Sequence, residues 1–112
     1  MIRRGEIYWV NFDPIIGSEI SKTRPGLVVS NDINNEAADT ITVLPVTSNV
    51  DRVYLFEVFL PKKLSGLPSD SKIKANQIRT IDKKRLGNLM GSVDQTVMAQ
   101  IERALKLHLD LT

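Results

Sequence analysis

The alternation of apolar and polar residues predicts a series of short β-strands followed by one helix. Runs rich in β-branched and aromatic residues recur along the chain, separated by segments rich in Gly, Pro, Asn, Asp and Ser. We expect strands at residues 6–12, 27–30, 40–46, 54–60 and 71–82. The polar segments 31–39 and 82–86 each predict a short helical turn.

The C-terminal segment has the periodicity of an amphipathic helix. Its apolar residues recur at helical spacing and form one stripe: Val97, Ile101, Ala104, Leu105 and Leu109. Ser92, followed three residues later by Gln95, predicts a capping box at the start of this helix. Several strands and one packing helix predict a mainly β (α+β) fold, a small SH3-like β-barrel with a C-terminal helix and short helical turns.

Length and composition narrow the class of protein. A chain of 112 residues predicts a single domain, 1–112, with a core modest enough for self-association to help stability. The absence of cysteine fits a reducing cytoplasm and excludes disulfides and thiolate metal sites. We find no signal peptide and no apolar run near the roughly 20 residues that cross a bilayer, so we expect a cytoplasmic protein without membrane contact.

The inventory of reactive side chains excludes several kinds of active site. His108 is the one histidine, so metal, Ser-His-Asp and Cys-His sites have few possible ligands or bases. A Gly-rich phosphate loop of the Walker type is also missing, and we predict neither a metal nor a cofactor. The net charge of +2 is compatible with nucleic acid but does not by itself predict it.

Two residues at strand ends have the chemistry to bind a phosphodiester. Arg24 precedes Pro25, which favours an extended backbone at Arg24, and a guanidinium can hold two phosphate oxygens at once. Thr47 follows the predicted strand 40–46 and offers a hydroxyl beside Arg24 if the two strands are neighbours. A surface ion pair for Arg24 and a turn or cap hydroxyl for Thr47 stay open as alternatives, because spacing alone does not decide between them.

Several motifs occur in a characteristic order along nearly the whole chain. They are Gly5-Glu6-Ile7-Tyr8-Trp9, Asp13-Pro14, Gly17-Ser18-Glu19, Arg24-Pro25, Pro45-Val46-Thr47 and Gln77-Ile78-Arg79-Thr80-Ile81-Asp82. The ordered set closely resembles the MazF/PemK family of toxin endoribonucleases. The resemblance runs from Gly5 to the C-terminal helix.

The resemblance implies a sequence-specific, metal-independent endoribonuclease toxin of a toxin–antitoxin system. The substrate would be single-stranded RNA, cleaved by attack of the 2′-hydroxyl to leave 2′,3′-cyclic phosphate and 5′-hydroxyl ends. The implied partners are a second copy of the chain in a homodimer, a cognate antitoxin, and operator DNA through the complex with that antitoxin.

The resemblance also implies roles for particular residues. Arg24 and Thr47 would be the catalytic pair, and Glu19, implicated in some members, is a candidate base if its loop closes over the substrate. We expect the RNA-binding side chains to be Ser18, Lys22, Ser48, Lys74, Asn76 and Gln77, with loops 15–22 and 50–54 choosing the bases. Some relatives use an Arg and an Asp in catalysis where this chain has Lys74 and Asn76, and Asn76 cannot transfer a proton as Asp can.

Two other functions are compatible with parts of the sequence. A non-catalytic RNA- or DNA-binding autoregulatory module would use the same cations, and cleavage of purified RNA distinguishes it from an enzyme. A gyrase-poisoning toxin on the same fold would end in Trp-Gly-Ile and lack the Arg/Thr pair. This chain instead ends Leu109-Asp110-Leu111-Thr112.

Overall fold

The computed structural model describes residues 1–19 and 22–112. Within these residues the chain forms seven strands and two α-helices, joined in part by short 3₁₀ turns. In chain order the elements are β1 (Glu6–Asn11), β2 (Thr23–Val28), α1 (Asp32–Ala37), β3 (Thr40–Thr47), β4 (Glu57–Leu60), β5 (Ser71–Lys74), β6 (Arg79–Asp82), β7 (Leu86–Ser92) and α2 (Gln95–Leu109). The 3₁₀ turns are Lys62–Leu64, Ala75–Gln77 and Lys83–Arg85.

The strands pair antiparallel in one sheet with the order β4-β5-β3-β2-β1-β7. The central strand β3 carries β2 along one edge and both β5 and β6 along the other. The predicted mainly β class, the C-terminal helix and the short helical turns are confirmed. Among the described strands, β4 and β7 lie at opposite ends of the order, so the sheet is not closed.

A three-residue insertion divides the segment that we predicted as one strand, 71–82. Val46 of β3 pairs with Ile73, whereas Val43 pairs with Arg79. The partner segment therefore advances six residues while β3 advances three, and the excess is the 3₁₀ turn Ala75–Gln77. An insertion of this kind re-aims side chains at the edge of a sheet, and here it turns the segment away from β3.

Strand β7 and the start of α2 differ from the sequence prediction. β7 contains Gly87 and Gly91, which lower strand propensity, yet it pairs with β1. A Cβ on Gly91 would lie 2.0 Å from the carbonyl oxygen of Ser65, so only glycine fits this close approach. The predicted cap Ser92 is wrong, because Ser92 belongs to β7 and Asp94 caps the helix instead.

Helix α2 covers one face of the sheet. Its buried side chains pack into a hydrophobic cluster with residues of β1, β2, β3, β4 and β5; they are Val97, Met98, Ile101 and Ala104. A second cluster, around Phe12 and Ile41, fills the other side of the strands. α2 has 15 residues, and none of the helices in the described parts of the chain is long and apolar enough to cross a membrane.

The packing of α2 predicts a large loss of stability on truncation of its central residue. Ile101 is 0% exposed, and Ile101→Ala should lower the free energy of unfolding by about 2–5 kcal/mol. Leu107 is 56% exposed on the same helix, so Leu107→Ala should change it by no more than about 0.5 kcal/mol. Urea unfolding followed by circular dichroism measures both, and equal losses would contradict this packing.

Candidate active site

Residues of three strands, two loops and the turn Ala75–Gln77 surround a groove of about 250 Å³. Seven polar side chains line it: Ser18, Arg24, Thr47, Asn49, Lys72, Lys74 and Gln77. The groove therefore combines three cations with hydroxyl and amide groups. This combination can bind a phosphate and polarise its oxygens.

The groove begins where the pairing of β2 with β3 ends. The ladder between these strands runs from Val28 opposite Val43 to Gly26 opposite Pro45. Pro25, the next residue of β2, has no backbone N–H and so cannot donate a further hydrogen bond to this ladder. Beyond this point Arg24 and Thr47 line the groove, and both are half-buried.

Strand β5 supplies the two lysines because side chains alternate along a strand. Lys72 and Lys74 share one face of β5, while Ile73 between them is 0% exposed in the core. Lys72 lies directly opposite Thr47 on the neighbouring strand. Directly opposite side chains are close enough to act on the same ligand.

Both lysines bind a buried carboxylate, that of Glu57 on β4. Lys72 Nζ lies 3.0 Å from one carboxylate oxygen and Lys74 Nζ lies 2.8 Å from the other. The backbone N–H of Tyr54 also donates to Glu57, at 3.0 Å. Burial alone would raise the pKa of Glu57, but the hydrogen bonds from Lys74, Tyr54 and Lys72 outweigh it and lower that pKa. The fold thus stabilises a charged Glu57.

The structure brings most of the predicted site residues together. Five of them line the groove: Ser18, Arg24, Thr47, Lys74 and Gln77. Ser48 lines a cavity of about 260 Å³ that Arg24 and Thr47 also line. Lys22 lines neither of these spaces, and its backbone N–H donates to the Asp13 carboxylate at 3.0 Å.

Glu19 and Asn76 line a larger adjoining cavity of about 700 Å³, which Ser18 and Gln77 connect with the groove. The Glu19 carboxylate accepts a hydrogen bond of 2.6 Å from the backbone N–H of Ile16 and so braces its own loop. The Asn76 side-chain oxygen is buried without a hydrogen-bond partner. Of the loop 15–22 expected to choose bases, residues 20 and 21 lie outside the described residues.

Sequence reasoning missed three contributors to the site, namely Lys72, Asn49 and Glu57. The alternation of Lys72 and Lys74 around Ile73 already places both lysines on one face, so it could have identified Lys72. Nothing in the local sequence singles out Glu57, because its partners lie on a different strand.

In the second predicted recognition loop, 50–54, the Arg52 guanidinium lies 4.8 Å from the centre of the Tyr54 ring.

Comparison with known proteins agrees with these features. Residues 3–109 match the model of the family described as PemK-like, MazF-like toxin of type II toxin–antitoxin system. The chain is 49% identical to Endoribonuclease MazF9 of Mycobacterium tuberculosis, covering 99% of this chain and 98% of that protein.

Solved structures share the fold over nearly the whole chain. The crystal structure of MazF (Form-I) from Deinococcus radiodurans superimposes with a TM-score of 0.86 at 29% identity, covering 98% of this chain and 97% of that one. A chain of the MazE-MazF (Form-III) structure from the same organism gives a TM-score of 0.80 at 29% identity, covering 99% and 98%.

The resemblance that the motifs predicted is confirmed over more than half of the chain, in both sequence and fold. The chain belongs to the PemK-like, MazF-like toxin family of type II toxin–antitoxin systems.

Proposed function

We propose that this protein is a sequence-specific endoribonuclease toxin that cleaves single-stranded RNA without a metal ion. The observation that carries the proposal is the groove in which Arg24 and Thr47 meet Lys72 and Lys74. Family membership and the 49% identity to a protein named as an endoribonuclease support the same activity. Three cations lining one small groove favour an anionic substrate and disfavour a divalent metal ion.

The proposed reaction uses the 2′-hydroxyl of the RNA as nucleophile. Its oxygen attacks the adjacent phosphorus, the bond to the 5′-oxygen breaks, and the products are a 2′,3′-cyclic phosphate and a 5′-hydroxyl end. Arg24 has two donors that can face the phosphate oxygens as negative charge develops there. Thr47 donates its hydroxyl to a phosphate oxygen beside Arg24, since both line one groove.

The proton transfers require a base for the 2′-hydroxyl and an acid for the leaving oxygen. Arg24 is a cation and is placed at the scissile phosphate, so it suits the acid role and not the base role. Glu57 is occupied by the two lysines. We assign the base to Glu19, which lines the adjoining cavity and reaches the groove if its loop closes over RNA.

The proposed partners follow from the family and the surface. The family description names a toxin–antitoxin system, and the MazE-MazF structure has the same fold, so a cognate antitoxin is the expected partner. An acidic antitoxin segment would compete with RNA for the cations of the groove. Trp9 is 39% exposed and Leu89 is 55% exposed on neighbouring strands, which supports a homodimer. We place the protein in the cytoplasm, and operator DNA would be bound through the antitoxin complex.

The assignment of the catalytic pair predicts loss of activity on removal of either donor. Arg24→Ala and Thr47→Ala should each lower kcat for RNA cleavage about 10²–10³-fold, the usual cost of one transition-state donor. Arg24→Lys should also fail, because lysine cannot hold two phosphate oxygens in a planar fork. Initial rates on a defined RNA measure these effects.

The matched controls are Arg103→Ala and Thr96→Ala, which truncate the same residue types at exposed positions of α2. Both controls should cleave at the wild-type rate. Near-normal turnover by either groove variant would overturn the catalytic pair. RNA that binds but is never cut by the wild-type chain would favour the non-catalytic module instead.

Metal independence predicts that cleavage persists in excess EDTA, because cations and hydroxyls of the protein do the work of a metal. The downstream fragment should carry a 5′-hydroxyl and resist ligation until a kinase phosphorylates it. A strict requirement for Mg²⁺, or a 5′-phosphate on the untreated product, would contradict the mechanism.

If the RNA supplies its own nucleophile, removal of a single 2′-hydroxyl oxygen should abolish cleavage. Replacing the ribose on the 5′ side of the scissile phosphate by deoxyribose should stop cleavage at that bond, while binding persists through phosphate contacts. The same replacement two nucleotides away is the control and should leave cleavage intact. Cutting of the first analogue at the usual bond would exclude attack by the 2′-hydroxyl.

A further inference from the structure

The buried Glu57 carboxylate holds two ammonium groups at the edge of the groove. The Glu57 side chain is 0% exposed, whereas the side chains of Lys72 and Lys74 are 9% and 20% exposed. The three groups together carry one net positive charge. A carboxylate this deeply buried is rare unless its charge is paired, so the lysines and Glu57 require each other.

The sheet register places these lysines beside the proposed catalytic pair. Lys72 lies opposite Thr47 on β3, and Lys74 lies opposite Glu57 on β4. Lys72 and Lys74 line the same groove as Arg24. The cations of the groove therefore come from β2 and from β5, which lie on opposite sides of β3.

Hydrogen bonds within the protein hold the Lys72 ammonium group in place. An ammonium group has three N–H donors. At Lys72, the Glu57 carboxylate accepts at 3.0 Å and the carbonyl oxygen of Arg52 accepts at 2.6 Å. These two acceptors account for two of the three donors, and Lys72 lines the groove. The centre of the Tyr54 ring lies 5.8 Å from the same ammonium nitrogen. Lys72 is thus held in place before any ligand arrives, and binding does not have to order a flexible side chain.

We propose that Glu57 is a positioning residue that holds Lys72 and Lys74 as a preformed site for the RNA phosphate next to the scissile one. The inference rests on the proposed function for the identity of the ligand. Without the carboxylate, two neighbouring ammonium groups repel each other, and at least one turns out toward water. The site then loses its geometry although the protein gains a positive charge.

The experiment measures binding of the uncut deoxy-substituted RNA as a function of salt, using Lys72→Met, Lys74→Met and Glu57→Gln. Each lysine variant should weaken binding about tenfold or more and reduce the slope of log Kd against log salt by about 0.7, the contribution of one phosphate contact on a single strand. On cleavable RNA these variants should raise KM with little change in kcat, because the neighbouring phosphate is bound equally in ground and transition states. Lys63→Met is the control: Lys63 is exposed on the turn Lys62–Leu64, away from the groove, and its variant should change none of these quantities.

Glu57→Gln separates positioning from simple charge. If Glu57 only opposed the RNA charge, its neutralisation would tighten binding. If it positions the lysines, binding weakens despite the added positive charge. Adding Glu57→Gln to the double variant Lys72→Met, Lys74→Met should weaken binding no further, because Glu57 then has no lysines to hold.

Each result decides the question. Unchanged affinity and salt slope in both lysine variants would overturn the proposal, and so would tighter binding by Glu57→Gln. If Glu57→Gln does not fold by circular dichroism, the single lysine variants, in which Glu57 keeps one lysine partner, still give the answer. A wild-type chain that binds the analogue with the lysine dependence described, yet never cuts RNA, would refute the proposed function and support the phosphate site.

Discussion

Pairing along both edges of β3 is the constraint on which the structure depends. The central residues of this strand are buried, so its N–H and C=O groups need partners on each side. β2 fills one edge, while β5 and β6 share the other. The chain serves two stretches of the second edge with one segment, and it leaves that edge between them in the turn Ala75–Gln77. The same turn carries Gln77, which lines the groove. The departure from β3 therefore also supplies a residue of the site.

The electrostatics of the groove follow from where its cations are held. Surface lysines lose much of their attraction to a ligand through salt screening and rotamer freedom. Lys72 avoids both losses, because it is nearly buried against Glu57 and the Arg52 carbonyl. The cost of burying Glu57 is offset by three donors, which keep it charged. The Glu57 carboxylate cancels one positive charge of the groove, but it fixes the positions of two lysines. Its presence is therefore compatible with anion binding.

The sequence predicted the fold class and the helix because these depend on local patterns, whereas the roles of Arg24 and Thr47 were implied by the resemblance to the family. Alternation identified β1, β3 and β5, and helical spacing identified α2. β7 was missed because its two glycines weaken every local strand signal, while its pairing with β1 depends on residues more than seventy positions away. Glu57 was missed for a similar reason: its role depends on Lys72 and Lys74 on another strand. The cap at Asp94 was missed because Ser92 fits the same pattern locally but is needed by the sheet.

The arrangement of the groove also determines when during synthesis it can exist. Arg24, Thr47 and Lys74 come from three different strands. Strand β5, which carries the lysines, is paired with β3 on one edge and with β4 on the other. Such long-range pairings form late in folding, because each requires closure of a long loop of chain. Helix α2, which covers the core, follows all seven described strands in the chain. A nascent chain that has emerged only as far as β3 therefore carries Arg24 and Thr47 but not the assembled groove, which exists only after β5 has paired with β3.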